Sequence, residues 1–79
     1  MATEIRVPTA TDAGVKLSVG RWFKRVGDPV SLDEPVVEIN AGDVTHEVRA
    51  PVTGVLSSIS VGDGASVEPG SLLGAIRQF

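Results

Sequence analysis

Carboxylates, one imidazole and two primary amines are the groups in this 79-residue chain with the means to do chemistry. The segment Asn40-Ala41-Gly42-Asp43 lies between β-forming stretches, so it reads as the presented tip of a hairpin, with Val44 opening the return strand. Oxygens of Asp43, Asn40 and Asp12 would suit a hard cation. No D-x-D-x-D-G spacing accompanies them, so Asp43 is read as a turn residue rather than a metal ligand. His46 is the single histidine and there is no cysteine, which leaves no zinc set within one chain. Its alternation with Val44 and Val48 predicts a half-buried strand residue facing the apolar side. Serines are plentiful, but no G-x-S-x-G elbow frames a nucleophile and so short a chain has little room for a cleft. Catalysis by this chain alone is not expected. Glu34, Glu38, Glu47 and Glu68 form a solvated acidic face in preference to a docking surface, and Trp22 is read as a core or partly covered strand residue rather than a binding hot spot.

The elements that must position these groups are short and extended. Apolar alternation predicts strands over 4–7, 17–22, 30–32, 36–39, 44–48, 54–60, 66–67 and 72–76, separated by Gly, Pro and Asp turns. Gly20 is read as a bulge or a close backbone approach, and a bulge would account for Trp22 falling out of the parity set by Leu17 and Val19. No Gly- and Pro-free stretch of helical period interrupts the pattern.

A 37-residue shift pairs Val19 with Leu56, Trp22 with Ile59, Gly27 with Gly64, Val30 with Val67, Val36 with Leu73 and Ile39 with Ile76. Two similar halves, each too small to bury its own apolar face, are therefore expected to pack together. The prediction is an all-β sandwich with pseudo-twofold symmetry, neighbouring chain termini, and a single domain over 1–79.

Bulk composition agrees. The 42% hydrophobic content supports a core, built from aliphatic residues because only Trp22, Phe23 and Phe79 are aromatic. A net charge of −3 with dispersed basic residues argues against nucleic acid or an anionic membrane as partner, and no stretch is apolar enough to be a membrane span. Lack of cysteine fits a reducing compartment. The end at Gln78-Phe79, straight after a strand, points to a domain excised from a longer chain. Charges spread over the strands discourage edge pairing, so the isolated chain is expected to be a monomer.

Taken in order, MATEIRVPT, VGRWFKRVGDPV, DEPVVEI, VTHEVRAPVTGVLSSI and LLGAI resemble the lipoyl domain of the acyltransferase (E2) chains of 2-oxo acid dehydrogenase complexes, most closely the succinyltransferases of 2-oxoglutarate complexes. The resemblance runs almost end to end without a gap. Biotinyl carrier domains share the architecture but have Met-Lys-Met at the tip, which is absent here. What the resemblance implies is a flattened barrel of two four-stranded antiparallel sheets. It also implies a lysine at the hairpin tip that carries lipoate between the E1 dehydrogenase, the E2 core and the E3 dihydrolipoyl dehydrogenase. The setting would be bacterial cytoplasm or the mitochondrial matrix.

Where the family reads Glu-Thr-Asp-Lys and then valine, this chain has Asn40, Ala41, Gly42, Asp43 and Val44, so Asp43 occupies the lipoyl-lysine position. The preceding loop, commonly Leu-Gly-Glu-Ser in the family, is Ala10, Thr11, Asp12 and Ala13. Lys16, in the loop beside the hairpin, and Lys24, on a strand away from it, are the two amines, and neither matches the turn position. The differences gather at the pole of the swinging arm while the framework is kept. No lipoate is therefore expected on this chain. The alternative is an engineered or divergent scaffold that presents the 40–43 tip and the 9–16 loop to another partner.

Overall fold

A computed structural model describes residues 2–8 and 16–79. Eight strands follow in chain order: β1 (Ala2–Arg6), β2 (Leu17–Trp22), β3 (Pro29–Val30), β4 (Pro35–Ala41), β5 (Val44–Arg49), β6 (Gly54–Ile59), β7 (Ser66–Val67) and β8 (Leu72–Gln78). They form two four-stranded sheets, β1-β8-β6-β3 and β5-β4-β2-β7, in which every pairing is antiparallel. No helix occurs among the described residues, and none therefore is long and apolar enough to cross a membrane.

Period-2 alternation sends Ile5, Val19, Val37, Ile39, Leu56 and Ile76 between the sheets, each at 2% exposure or less. Complete burial of such aliphatic side chains stabilises the fold by about 1.5–3 kcal/mol each. No buried side-chain N or O among the described residues lacks a hydrogen-bond partner. The predicted bulge is present: the β2–β4 register shifts between Val19 and Arg21, and this turns Trp22 inward.

The repeat proves to be structural in detail. β6, β7 and β8 each begin and end 37 positions after β2, β3 and β4, and the β6–β8 register shifts between Leu56 and Ser58, the positions matching Val19 and Arg21. Gly27 N–H donates to Leu56 O and Gly64 N–H to Val19 O, both at 2.8 Å. Both glycines have left-handed φ, 99° and 81°, open to residues without Cβ at little cost. Symmetry extends to the outer strands. Arg49 Nη1 donates to the carbonyl of Asp33 at 3.0 Å and Arg6 Nη1 to that of Gly70 at 2.9 Å, and Asp33 and Gly70 are themselves left-handed, at φ 68° and 84°.

Size is exchanged across the axis where the symmetry breaks. Trp22 stands opposite Val37, whereas its mate Ile59 stands opposite Gly74. The indole fills the space over Gly74, where a Cβ would meet Trp22 Cη2 at 3.0 Å, and its Nε1–H donates to Val61 O at 2.8 Å. The connection between β1 and β2 (residues 7–16) is six residues longer than its mate between β5 and β6 (residues 50–53). Ala2 faces Arg77, so the chain ends adjoin as expected.

Strand bounds differ from expectation at the margins. The third strand is Pro29–Val30 rather than 30–32, because Leu32 N–H leaves the sheet to donate to Thr53 Oγ1 at 2.9 Å. The fourth runs on to Ala41, taking Asn40 and Ala41 out of the tip. His46 is exposed, contrary to the parity argument. It shares a face with buried Val48, but β5 is an edge strand and its inner face is covered only at the Val48 end.

Candidate functional site

The β4–β5 hairpin closes with two residues, Gly42 and Asp43, between the paired Ala41 and Val44. Left-handed φ is confined to Gly42, at 62°, the arrangement of a type II′ turn with glycine in its first position. This places Asp43 at the second position, exposed, with no hydrogen-bonded or ionic partner among the described residues. Val44 beside it leaves 54% of its surface exposed. One residue further in, Asn40 lies between Ser18 of β2 and Thr45 of β5, and Thr45 Oγ1 donates to Asn40 Oδ1 at 3.3 Å.

The hairpin tip expected at 40–43 is thus a two-residue turn braced by a strand pair. The signal was in the sequence, since Gly-Asp between alternating β-formers is a two-residue loop. Among the described residues no three of His, Asp and Glu converge on a point. Asn40, taken with Asp43 as a candidate cation ligand, has its side-chain oxygen engaged by Thr45; the third member, Asp12, lies outside the described residues. So do Ala10, Thr11 and Ala13 of the adjacent loop.

The two amines occupy different poles. Lys16 is exposed and immediately precedes Leu17, which pairs with Ala41, so it stands at the level of the turn. An open depression lined by Lys16, Leu17, Val67 and Glu68 lies along the β2–β7 edge there. Lys24 lies two residues past the far end of β2, in a bend rather than on the strand expected to hold it, where its Nζ is 3.0 Å from Glu34 Oε2. The Glu34 carboxyl also accepts from Ser31 N–H at 3.0 Å. That backbone donor first, and Lys24 second, hold its pKa below the usual 4.5.

The other carboxylates do not join in a single face. Glu38 sits directly opposite Glu47 on the outer side of the hairpin, between Arg21 of β2 and Arg49, whose guanidinium is 3.9 Å from Glu47. Glu68 is at the β7 edge.

A group held by an amide needs a primary amine at the turn. Gly42 and Asp43 supply a hydrogen and a carboxylate, so a lysine-borne prosthetic group does not fit this turn as it stands.

Comparisons with known proteins give this geometry a family. The family described as Biotin-requiring enzyme, whose domain is the biotin/lipoyl type, matches residues 3–76. The chain is 47% identical over 77 residues, 98% of its length, to the dihydrolipoyllysine-residue succinyltransferase component of the 2-oxoglutarate dehydrogenase complex of Bartonella vinsonii subsp. berkhoffii, of which it covers 19%. It is 39% identical over 75 residues, 95% of its length, to the dihydrolipoyllysine-residue acetyltransferase component of the pyruvate dehydrogenase complex of Mycobacterium bovis, of which it covers 14%. The chain thus spans at most about a fifth of these relatives. Among solved structures it is similar to the lipoyl domain of the Azotobacter vinelandii 2-oxoglutarate dehydrogenase complex, with a TM-score of 0.78 at 33% identity, covering 95% of both chains. Two symmetric sheets closed by a presented hairpin turn, and a family match over nearly the whole chain, lead to one assignment: this chain belongs to the biotin/lipoyl family and folds as a lipoyl domain.

Proposed function

We propose that the chain is the lipoyl-domain module of an E2 acyltransferase of a 2-oxo acid dehydrogenase complex, of the 2-oxoglutarate kind, and that its hairpin does not accept lipoate. The observation that carries the second half is Asp43 at the exposed second position of the turn, where the gapless resemblance puts the modified lysine. Amide formation joins an activated carboxyl to an amine, and a carboxylate at that place offers no nucleophilic nitrogen. Lys24 is held by Glu34 at the other pole, and Lys16 precedes β2, outside the turn. The E1 and E3 enzymes and the E2 core are the partners this reading assigns. The module itself performs no catalysis.

Incubation with lipoyl ligase, ATP and lipoate, followed by intact-mass measurement, tests this directly. The wild-type chain is expected to keep its mass, while Asp43→Lys, with Gly42 left to hold its φ of 62°, gains one lipoyl group. Lipoylation of the wild type would overturn the reading. If Asp43→Lys stays unmodified despite a native fold, the reading of the chain as a module presenting its tip to another partner takes its place.

A further inference from the structure

The strand pairings divide the chain in an unusual way. Residues 2–41 contribute β1 and β3 to one sheet and β2 and β4 to the other; residues 44–78 contribute β6 and β8 to the first and β5 and β7 to the second. Only β2–β4 and β6–β8 pair within a half. The other pairings, β1–β8, β2–β7, β3–β6 and β4–β5, all run between the halves. So do the turn hydrogen bonds that fix the two crossings, Gly27 N–H to Leu56 O and Gly64 N–H to Val19 O. Neither half can complete a sheet alone, and the covalent link between them is the two-residue turn Gly42-Asp43.

We infer that the partner each half requires can be supplied by a second copy of this chain, with Gly42-Asp43 as the hinge. Opening the turn turns β4 and β5 into one extended run. The first half of one chain then docks on the second half of another and re-forms every pairing named above, twice. The closed monomer and the exchanged dimer differ in contacts only at the turn, so hinge length and chain concentration decide between them. The short β-turn also makes the closed form sensitive: removing two residues leaves β4 and β5 no means of reversing direction, whereas the dimer needs no reversal there. This rests on strand topology and is independent of whether the turn accepts lipoate.

Two experiments on the full chain test it. Deleting Gly42 and Asp43 is expected to convert an 8.2 kDa monomer into a species of twice that mass by light scattering, with native Trp22 fluorescence. A folded monomer from that variant would overturn the inference. The second leaves the turn intact. Val36→Asp and Leu73→Asp place a carboxylate at matching, fully buried positions of the first and second halves. Each chain alone is expected to be unfolded. Refolded together they should regain up to half the native Trp22 signal, in a heterodimer whose one sound lobe combines the intact halves. A mixture that stays as unfolded as its components would overturn the inference, including in the case where the deletion variant fails to fold.

Discussion

Gly54→Ala should be the most costly small change available in this domain. Gly54 is buried at the start of β6, with Val30 on one side and Gln78 on the other. A Cβ there would overlap the carbonyl oxygen of Arg77, lie 2.8 Å from its carbonyl carbon and 3.0 Å from Gln78 Cα, where ordinary contact begins at 3.4 Å. All three atoms belong to backbone, so no side chain can turn away. β8 must withdraw from β6, loosening the Gly54–Gln78 and Val55–Arg77 pairs. With a net value of about 1 kcal/mol for each ladder hydrogen bond and about 1–3 kcal/mol for overpacking, the cost comes to about 2–4 kcal/mol. For a domain of this size that lowers Tm by about 10 °C or more. Urea titration followed by Trp22 fluorescence measures it. The control is Gly62→Ala, the same chemical change where nothing lies within 4 Å and φ is not left-handed. It should be neutral or stabilise by up to about 1 kcal/mol through the unfolded chain. If Gly54→Ala unfolds within about 0.5 kcal/mol of wild type, a margin typical of harmless surface changes, the close approach of β6 and β8 is wrong.

Other expectations follow from the same geometry. Asp33 holds φ 68° where its mate Gly70 holds 84°, so Gly70→Asp should destabilise by roughly 1 kcal/mol and Asp33→Gly should be neutral to slightly stabilising in the same titration. Glu34 has a lowered folded pKa, so its contribution is complete above the ordinary value of 4.5 and is lost as pH falls through the lower folded value. Glu34→Gln, which keeps an acceptor for Ser31 N–H but loses the charge facing Lys24, should therefore lower stability slightly near neutrality, leave it unchanged at low pH, and so flatten the acid limb of a stability–pH curve. Trp22→Phe removes the donor to Val61 O and part of the cover over Gly74, and a loss of about 1–3 kcal/mol in chemical denaturation is expected.

Most of the frame was legible because repetition and parity are local properties of the residues. The 37-residue shift gave the offset between matching strands to the residue, though not their bounds, and the misplaced parity of Trp22 pointed to the bulge at Gly20. His46 was misread because alternation tells which face a side chain takes, not whether anything covers that face, and on an edge strand the cover ends before the hairpin does. Similarly, Leu32 looked like a strand residue until Thr53 claimed its N–H, a contact between residues far apart in sequence. At the candidate site, the identity of Asp43 was plain from the start, but its place at the second position of a two-residue turn depends on the register of Ala41 against Val44.

The adjacency of β1 and β8 has a mechanical side. Ala2 faces Arg77 at one end of an antiparallel ladder that continues through Ile5 opposite Gly74. A pull between these two ends would load that ladder one hydrogen bond at a time, as a zip is opened, instead of straining all its bonds together in shear. Because β1 is an edge strand and β8 lies beside it, peeling them apart exposes Ile5 and Ile76, both at 2% exposure or less. A fold that is thermally coherent would then yield to modest force, and the first place to give would be the seam between its two ends.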